Sequence, residues 1–233
     1  MSSMKSIAEN IKQLKERIAA AAEKAGRDPA DILLLVVSKT IPTDRIELAR
    51  DAGQTDFGEN RVQEAREKIP KLPEGITWHL VGHLQRNKAK YCPALFDWIH
   101  SIDSVPLARE LGKRYKDKGK TCRALVQVNV SGEGSKFGCH PDLAEEIFTA
   151  ILEENSLEAV GLMTMPPYSY DPEDSRPHFE SLRNIRDELA GKGYGHDNLK
   201  ELSMGMSGDF EVAVEEGATI IRIGTAVFGE RDG

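Results

Sequence analysis

Apolar residues occur along the chain in short continuous runs, separated by amphipathic segments. A run of four to eight residues rich in Leu, Val and Ile predicts a strand that is covered on both faces. The first run, Ile32 to Lys39, has six consecutive apolar residues followed by Ser38 and Lys39. The other runs are Thr55 to Asn60, Thr77 to Gly82, Trp98 to Asp103, Arg123 to Val130, Leu157 to Met165, Leu199 to Gly205 and Thr219 to Gly224. The pattern therefore predicts eight strands.

Between the runs, apolar positions recur every three or four residues, which is typical of amphipathic helices. Before the first strand, Ile7, Ile11, Leu14 and Ile18 share one helical face, and Gly26 is a natural end for that helix. Eight strands that alternate with helices predict an α/β fold, a single (β/α)8 TIM-type barrel with an extra N-terminal helix. An open doubly wound sheet is the alternative, but eight regular repeats favour closure.

The length of the chain, 233 residues, suits one barrel, and no linker rich in Pro, Gly or Ser divides it. We expect one barrel domain over residues 1–233, with an amphipathic helix over residues 1–26. Only residues 228–233 remain after the eighth strand, too few for a closing helix. We expect the N-terminal helix to cover that gap.

Charge and composition exclude several classes of partner. Lys and Arg number 31 against 38 Asp and Glu, whereas a general binder of nucleic acid or anionic membranes shows a basic excess. No apolar run approaches the ~20 residues needed to span a bilayer, and the N-terminus lacks the apolar core of a signal peptide. The three cysteines are far apart and form neither a disulfide framework nor a CxxC pair. We therefore expect a cytoplasmic protein with no nucleic-acid or membrane partner.

Lys39 is the first candidate for chemistry, because functional groups of a barrel lie at the C-terminal ends of its strands. It has the same parity as Leu33, Leu35 and Val37, so its side chain points to the same face. If that face is the interior, partial desolvation favours the neutral amine and makes Lys39 a candidate Schiff-base nucleophile. The alternative is a solvated lysine whose alkyl stem packs at the strand end.

Small residues and hydroxyl groups follow the seventh and eighth predicted strands. Glycine lets an anion reach backbone N–H groups, and serine or threonine adds further donors. Barrels frequently bind phosphate with these two loops, although either loop alone is also consistent with an ordinary turn. The pair predicts a phosphate site with six candidate residues: Ser203, Gly205, Ser207, Gly208, Gly224 and Thr225.

Arg222 has the parity of Gly224, opposite to that of Ile221 and Ile223. If the isoleucines pack on the outer helices, the guanidinium points into the barrel mouth, where it needs a partner. One interpretation is a structural ion pair with an inward acid such as Glu201. The other is a cation that faces a ligand heterocycle or anion.

A lysine for an imine, an interior arginine and a phosphate site together suggest pyridoxal 5′-phosphate (PLP). That cofactor needs a Schiff-base lysine, a partner for its ring nitrogen and a phosphate site. Arginine at the ring nitrogen keeps the pyridine unprotonated and weakens it as an electron sink.

Six stretches resemble the pyridoxal phosphate homeostasis protein family, whose members are single-domain barrels similar to the N-terminal domain of alanine racemase. They are VVSKT, FGENRVQE, WHLVGHLQRNK, GLMTM, LSMGMSGDFEVAVEEGAT and IRIGTAVFG. The resemblance implies that Lys39 carries PLP as an internal aldimine and that Arg222 lies near its ring nitrogen. It implies that Asn60 lies near the ring or its 3′ oxygen. Around the phosphate it places Ser203, Ser207, Gly224 and Thr225.

Three functional classes are compatible with such a site. A racemase-type enzyme needs a base on each face of the cofactor, and in alanine racemases the second is a tyrosine from a separate β domain, which we do not expect here. We therefore expect no catalytic residues and a monomeric protein that buffers or delivers PLP in vitamin B6 homeostasis, with PLP-dependent apo-enzymes as transient partners. The alternatives are a weakly active PLP-dependent amino-acid racemase and an aldolase-type barrel that uses Lys39 on a sugar phosphate.

Other polar residues have simpler interpretations. On a strand, His79 and His83 would be about 13 Å apart at ~3.3 Å per residue, too far to share one metal ion, so we expect no metal site. Lys136 falls in a predicted loop, where a solvated lysine is a simpler interpretation than a contact with phosphate or a transient imine with free cofactor. We assign no role to His83.

Overall fold

The structure, a computed structural model, describes residues 6–194 and 196–229. Its parallel strands form a closed barrel in chain order, and β1 pairs with both β2 and β8. The strands are β1 (Leu33–Val37), β2 (Asp56–Glu59), β3 (Thr77–Leu80), β4 (Trp98–Ile102), β5 (Cys122–Gln127), β6 (Leu157–Met163), β7 (Glu201–Ser203) and β8 (Ile220–Ile223). The predicted (β/α)8 barrel is confirmed.

Helices surround this barrel, and a 3₁₀ helix, Arg86–Ala94, replaces the α-helix between β3 and β4. The α-helices are α1 (Ile7–Lys24), α2 (Thr43–Asp51), α3 (Val62–Lys68), α4 (Val105–Lys116), α5 (Ala144–Leu152), α6 (Arg176–Leu189), α7 (Phe210–Glu215) and α8 (Thr225–Phe228). Every helix within the described residues is too short or too polar to span a bilayer. The expected helix over 1–26 and domain over 1–233 include residues 1–5, 195 and 230–233, which lie outside the described residues.

The alternation of side chains in the strands separates two hydrophobic cores. In β1, Leu34 and Val36 pack in the large core between the barrel and its helices, whereas Leu35 packs in a smaller core inside the barrel. In β8, Ile221 and Ile223 likewise belong to the outer core. Because side chains alternate along a strand, this register directs Lys39 and Arg222 towards the interior at the C-terminal end of the barrel.

Helix α1 begins with a capping box, in which the Ser6 hydroxyl accepts from the Glu9 N–H and the Glu9 carboxylate accepts from the Ser6 N–H. The helix packs against α2, α7 and α8. Its Arg17 and Lys24 form ion pairs with acidic residues of α7, and the Asn10 amide donates to the Val227 carbonyl in α8. α1 therefore supports the two short helices that follow the predicted phosphate loops.

Candidate functional site

A cavity of about 240 Å³ opens at the C-terminal ends of the strands, where barrels place their functional sites. It brings together six of the seven residues that the family resemblance implies for the site: Lys39, Asn60, Ser207, Arg222, Gly224 and Thr225. The loop from Met165 to Ser169 after β6 and the loop from Met206 to Asp209 after β7 complete the wall. Groups that are distant in sequence therefore face one small-molecule cavity.

Acidic residues from β2 and α3 accept hydrogen bonds from the residues on both sides of Lys39. On the N-terminal side, the Ser38 hydroxyl donates to Glu59 Oε1 over 2.7 Å. On the C-terminal side, the Thr40 N–H donates to Glu64 Oε1 over 2.5 Å. Thr40 has a φ of 61°, a left-handed conformation that a β-branched residue adopts only when its surroundings impose it.

Lys68 links these two carboxylates beneath the end of β1. Its ammonium donates to Glu59 Oε1 over 2.7 Å, to Glu64 Oε1 over 2.6 Å and to the Ser38 carbonyl over 2.8 Å. Burial raises the pKa of Glu59, although the hydrogen bonds from Lys68 and Ser38 oppose that shift. Lys68, Glu59 and Glu64 form an ion cluster that stabilises the turn carrying Lys39.

Arg222 is 4% exposed, and both of its terminal nitrogens donate to neutral groups. Nη1 donates to Ser203 Oγ and Nη2 to the Thr164 carbonyl, each over 2.8 Å. Burial lowers the pKa of Arg222 to about 10, with Asp209 opposing the shift, so the guanidinium remains a cation at neutral pH. The ion pair with Glu201 does not form, because the Glu201 carboxylate accepts from the Thr219 hydroxyl instead.

Ser203 occupies a different position from the one expected for a phosphate ligand. Its side chain is fully buried, and its hydroxyl lies 2.8 Å from both Arg222 Nη1 and His100 Nδ1. It is absent from the residues that line the cavity, unlike Ser207. The structure therefore moves Ser203 from the predicted phosphate site to a position beneath Arg222.

Two buried histidines extend these contacts through the barrel interior. His100 Nε2 lies 3.0 Å from His79 Nδ1, and His79 Nε2 lies 3.2 Å from Asp56 Oδ1. The sequence patterns do not identify His100 or Asp56 as site residues, and they raise His79 only as a metal ligand. A search for polar residues at inward-facing strand positions would have found them, because His79 and His100 each share the inward parity of an apolar core residue, Val81 and Trp98.

The loop after β7 is held by its own aspartate. Asp209 accepts from the Met206 N–H over 2.6 Å and from the Ser175 hydroxyl over 2.9 Å. Gly205 begins this loop with a φ of 90°, and a Cβ there would lie 2.5 Å from that of Ala213. These contacts support the loop in the conformation in which Ser207 and Gly208 line the cavity.

The set of donors around the cavity fits a small phosphorylated ligand. The hydroxyls of Ser207 and Thr225 line it together with Gly208 and Gly224. The first N–H groups of a helix, such as those that follow Gly224, have no acceptor within that helix. Within the described residues the buried Asn60 Oδ1 has no hydrogen-bond partner, so a ligand donor would relieve the cost of its burial.

His83 contacts residues outside the cavity wall. Its Nδ1 lies 3.4 Å from Asp103 Oδ2, and its ring stacks on Phe137 with ring centroids 4.2 Å apart. Neither His83 nor Lys136, the neighbour of Phe137, lines the cavity. The structure therefore gives neither residue a place in the site.

Comparison with known proteins places the chain in a family. The family described as "Alanine racemase, N-terminal domain" matches residues 3–232. A "Pyridoxal phosphate homeostasis protein" of Aquifex aeolicus (strain VF5) is 46% identical over 224 residues, which cover 96% of this chain and 97% of the relative. The chain belongs to the pyridoxal phosphate homeostasis protein family.

Solved structures relate this family to its fold neighbours. The structure of PipY of Synechococcus elongatus PCC7942 with PLP bound is 36% identical, with a TM-score of 0.83, and the match covers 96% of this chain and 100% of PipY. An alanine racemase of Clostridium difficile 630 has a TM-score of 0.72 at 14% identity, and the match covers 97% of this chain but 58% of the racemase. That second likeness shows the barrel fold alone.

Proposed function

We propose that this protein binds PLP in the cavity at the C-terminal end of the barrel, holds it as an imine on Lys39 and buffers or delivers it without catalysing a reaction. One observation carries the proposal. An amine, a buried cation and two hydroxyl- and glycine-bearing loops, the three groups that PLP requires, line the same cavity. The PLP-bound structure of PipY, from the same family, supports this choice of ligand.

Each residue has a defined part in this proposal. Lys39 supplies the amine, and Ser207, Gly208, Gly224 and Thr225 hold the phosphate. Arg222 faces the ring nitrogen, and because a guanidinium can only donate hydrogen bonds, that nitrogen accepts and stays unprotonated. An unprotonated pyridine is a weak electron sink, which disfavours the carbanion chemistry of PLP enzymes.

The cavity wall also lacks a positioned second base among the described residues. Tyr168 lines the cavity, but the residue is 78% exposed and its ring contacts Tyr170 edge-on. The carboxylate of Asp209 is bonded to Ser175 and Met206. General-base catalysis needs a base held within hydrogen-bond reach of the proton and able to accept it. Tyr168 is not held in place, and both carboxylate oxygens of Asp209 already accept hydrogen bonds within the protein. This supports binding and exchange over racemisation.

The cellular setting is part of the same proposal. The three cysteines are buried free thiols, which suits a reducing cytoplasm. A cavity that opens to solvent allows PLP to leave for an apo-enzyme, and the closed barrel needs no second subunit to complete its wall. We therefore propose a cytoplasmic monomer with PLP-dependent apo-enzymes as transient partners.

The test is an absorption spectrum of the purified protein with added PLP, before and after borohydride, followed by peptide mapping. We expect a visible imine band, reduction to a stable adduct on Lys39, and loss of both in Lys39→Ala. Lys136→Ala is the matched control and should keep both. A colourless protein that takes up no PLP, or an adduct on Lys136, would contradict the proposal, and turnover of amino acids would favour a racemase.

A further inference from the structure

Five side chains form a continuous line of hydrogen bonds through the barrel, which we call the interior polar row. They are Asp56, His79, His100, Ser203 and Arg222, in that order. The distances are 3.2 Å between Asp56 Oδ1 and His79 Nε2 and 3.0 Å between the two imidazoles. They are 2.8 Å between His100 Nδ1 and Ser203 Oγ, and 2.8 Å between Ser203 Oγ and Arg222 Nη1.

The interior polar row joins the two ends of the barrel. Asp56 is the first residue of β2, at the N-terminal end, and its side chain is 19% exposed. Arg222 lines the cavity at the C-terminal end. The three residues between them are fully buried and come from β3, β4 and β7. A solvent-accessible carboxylate is thus connected to the cation of the ligand site, although it does not itself line the cavity.

The two ends of the row fix the direction of every hydrogen bond in it. The Arg222 guanidinium can only donate, and the Asp56 carboxylate can only accept. A neutral histidine has one donor and one acceptor nitrogen. His79 therefore carries its proton on Nε2, facing Asp56, and its Nδ1 accepts from His100 Nε2. His100 Nδ1 then accepts from the Ser203 hydroxyl, whose oxygen accepts from Arg222.

The surroundings of the row favour these protonation states. Burial lowers the pKa of His79, against the hydrogen bond to Asp56, and holds that of His100 well below its usual range. Burial also pushes the pKa of Asp56 upward, but hydrogen bonds from His79 and Thr55 outweigh it, and the net direction is down. The other charged groups that act on the histidines are Asp97, Arg123 and Arg222. Neutral imidazoles and an ionised Asp56 are therefore the stable combination at neutral pH.

We propose that the interior polar row positions Arg222, with Asp56 selecting the Nε2–H tautomers of His79 and His100 and so fixing the hydrogen bond that holds the guanidinium at the cavity. Asp56, His79 and His100 are positioning residues that act on the ligand only through Arg222. The identity of that ligand rests on the proposed function, whereas the direction of the hydrogen bonds in the row does not.

The first test uses the protein without PLP and labels its histidines with nitrogen-15. We expect the NMR shifts of His79 and His100 at pH 7.5 to report a protonated Nε2 and an unprotonated Nδ1, with assignments from His79→Gln and His100→Gln. A His100 ring protonated on Nδ1, or an imidazolium at either position, would overturn the proposal. This readout requires no folded variant of Asp56.

The second test compares Asp56→Asn with Asp31→Asn, a matched loss of one carboxylate at an exposed position near the same end of the barrel. Asp56→Asn should mix the tautomers of both histidines, shift the imine absorption band and raise the PLP dissociation constant about two- to thirtyfold, the range common for coupling through packed networks. Asp56→Glu, which keeps the acceptor, should restore the tautomers. Asp31→Asn should match wild type in each measurement.

The two proposals fail in different ways. If wild type takes up no PLP, the proposed function fails while the histidine tautomers remain measurable. If wild type binds PLP but Asp56→Asn keeps the wild-type tautomers, spectrum and dissociation constant, the row has no influence on Arg222 and the present inference fails.

Discussion

Two serines four positions apart have different partners in this site. The Ser203 hydroxyl is enclosed by Arg222 and His100, whereas the half-buried Ser207 lines the cavity. Removal of a buried hydroxyl leaves its partners unsatisfied, and that cost falls on folding. The free-energy cost of removing a hydroxyl that contacts a ligand falls on binding instead. Loss of the Ser203 hydroxyl, at the end of β7, therefore acts first on stability and reaches ligand binding only through Arg222, whereas loss of the Ser207 hydroxyl acts on binding.

Ser207→Ala should raise the PLP dissociation constant about tenfold, because it removes one hydrogen bond to a charged group. Its free energy of unfolding should stay within about 0.5 kcal/mol of wild type. Ser203→Ala should lower the free energy of unfolding by about 1 to 3 kcal/mol, since His100 and Arg222 each lose a partner. Equilibrium dialysis and urea titration measure both quantities. Indistinguishable profiles for the two variants would show that this assignment of the serines is incorrect.

At the scale of secondary structure, the hydrophobic pattern predicted the strands in order but extended several of them too far. The first run was expected to continue to Lys39 and the fifth to Val130, whereas β1 ends at Val37 and β5 at Gln127. Apolar and small residues, such as Ser38 after β1 and Val128 and Val130 after β5, continue past these strand ends, so composition gives no boundary there. The pattern also gives no register between strands.

The missing register between strands also limits what the sequence predicts about the site. Parity within one strand was enough to direct Lys39 and Arg222 inward. The interior polar row depends instead on how neighbouring strands align, for example the pairing of His79 with Trp98 across β3 and β4. The alignment of β3 with β4 brings His100 against His79, and that of β7 with β8 brings Ser203 under Arg222. No spacing along the sequence encodes either alignment.

Gly205→Ala should lower the free energy of unfolding by about 2 to 4 kcal/mol, because its φ of 90° and the 2.5 Å approach to Ala213 leave no room for a side chain. Gly208→Ala is the matched control in the same loop, since a Cβ there meets no atom within 4 Å. Urea unfolding midpoints compare the two. Equal midpoints would mean that the loop tolerates a second conformation at Gly205.

The ion cluster between β2 and α3 gives a second prediction for the elements that support Lys39. Lys68→Met should lower the free energy of unfolding by about 3 kcal/mol, because it leaves the fully buried Glu59 without its cationic partner. Lys71→Met, at an exposed position just beyond α3, should change it by less than about 0.5 kcal/mol. Chemical denaturation measures both. A Lys68→Met variant as stable as wild type would contradict a stabilising role for the cluster.

For the whole molecule, the buried histidines connect stability to pH. An unfolded histidine takes up a proton near pH 6.5, but the pKa values of His79 and His100 are lowered in the folded barrel. At a pH between the folded and the unfolded pKa of each histidine, the unfolded state binds more protons than the folded state. The free energy of unfolding must therefore decrease as the pH falls below about 6.5. Glu59, whose pKa is raised, opposes this trend only between about pH 4.5 and its folded pKa.

We expect the free energy of unfolding to fall between pH 7.5 and 5.5, with a slope of up to about 1.4 kcal/mol per pH unit for each of the two histidines. Urea titrations across this range give the slope directly. His100→Gln should reduce it, because one of the two buried imidazoles is gone, whereas His140→Gln, at an exposed histidine, should leave it unchanged. If stability were flat across this range in wild type, His79 and His100 would accept protons in the folded barrel as readily as in the unfolded chain. The neutral pair, and with it the fixed direction of the interior polar row, would then be untenable.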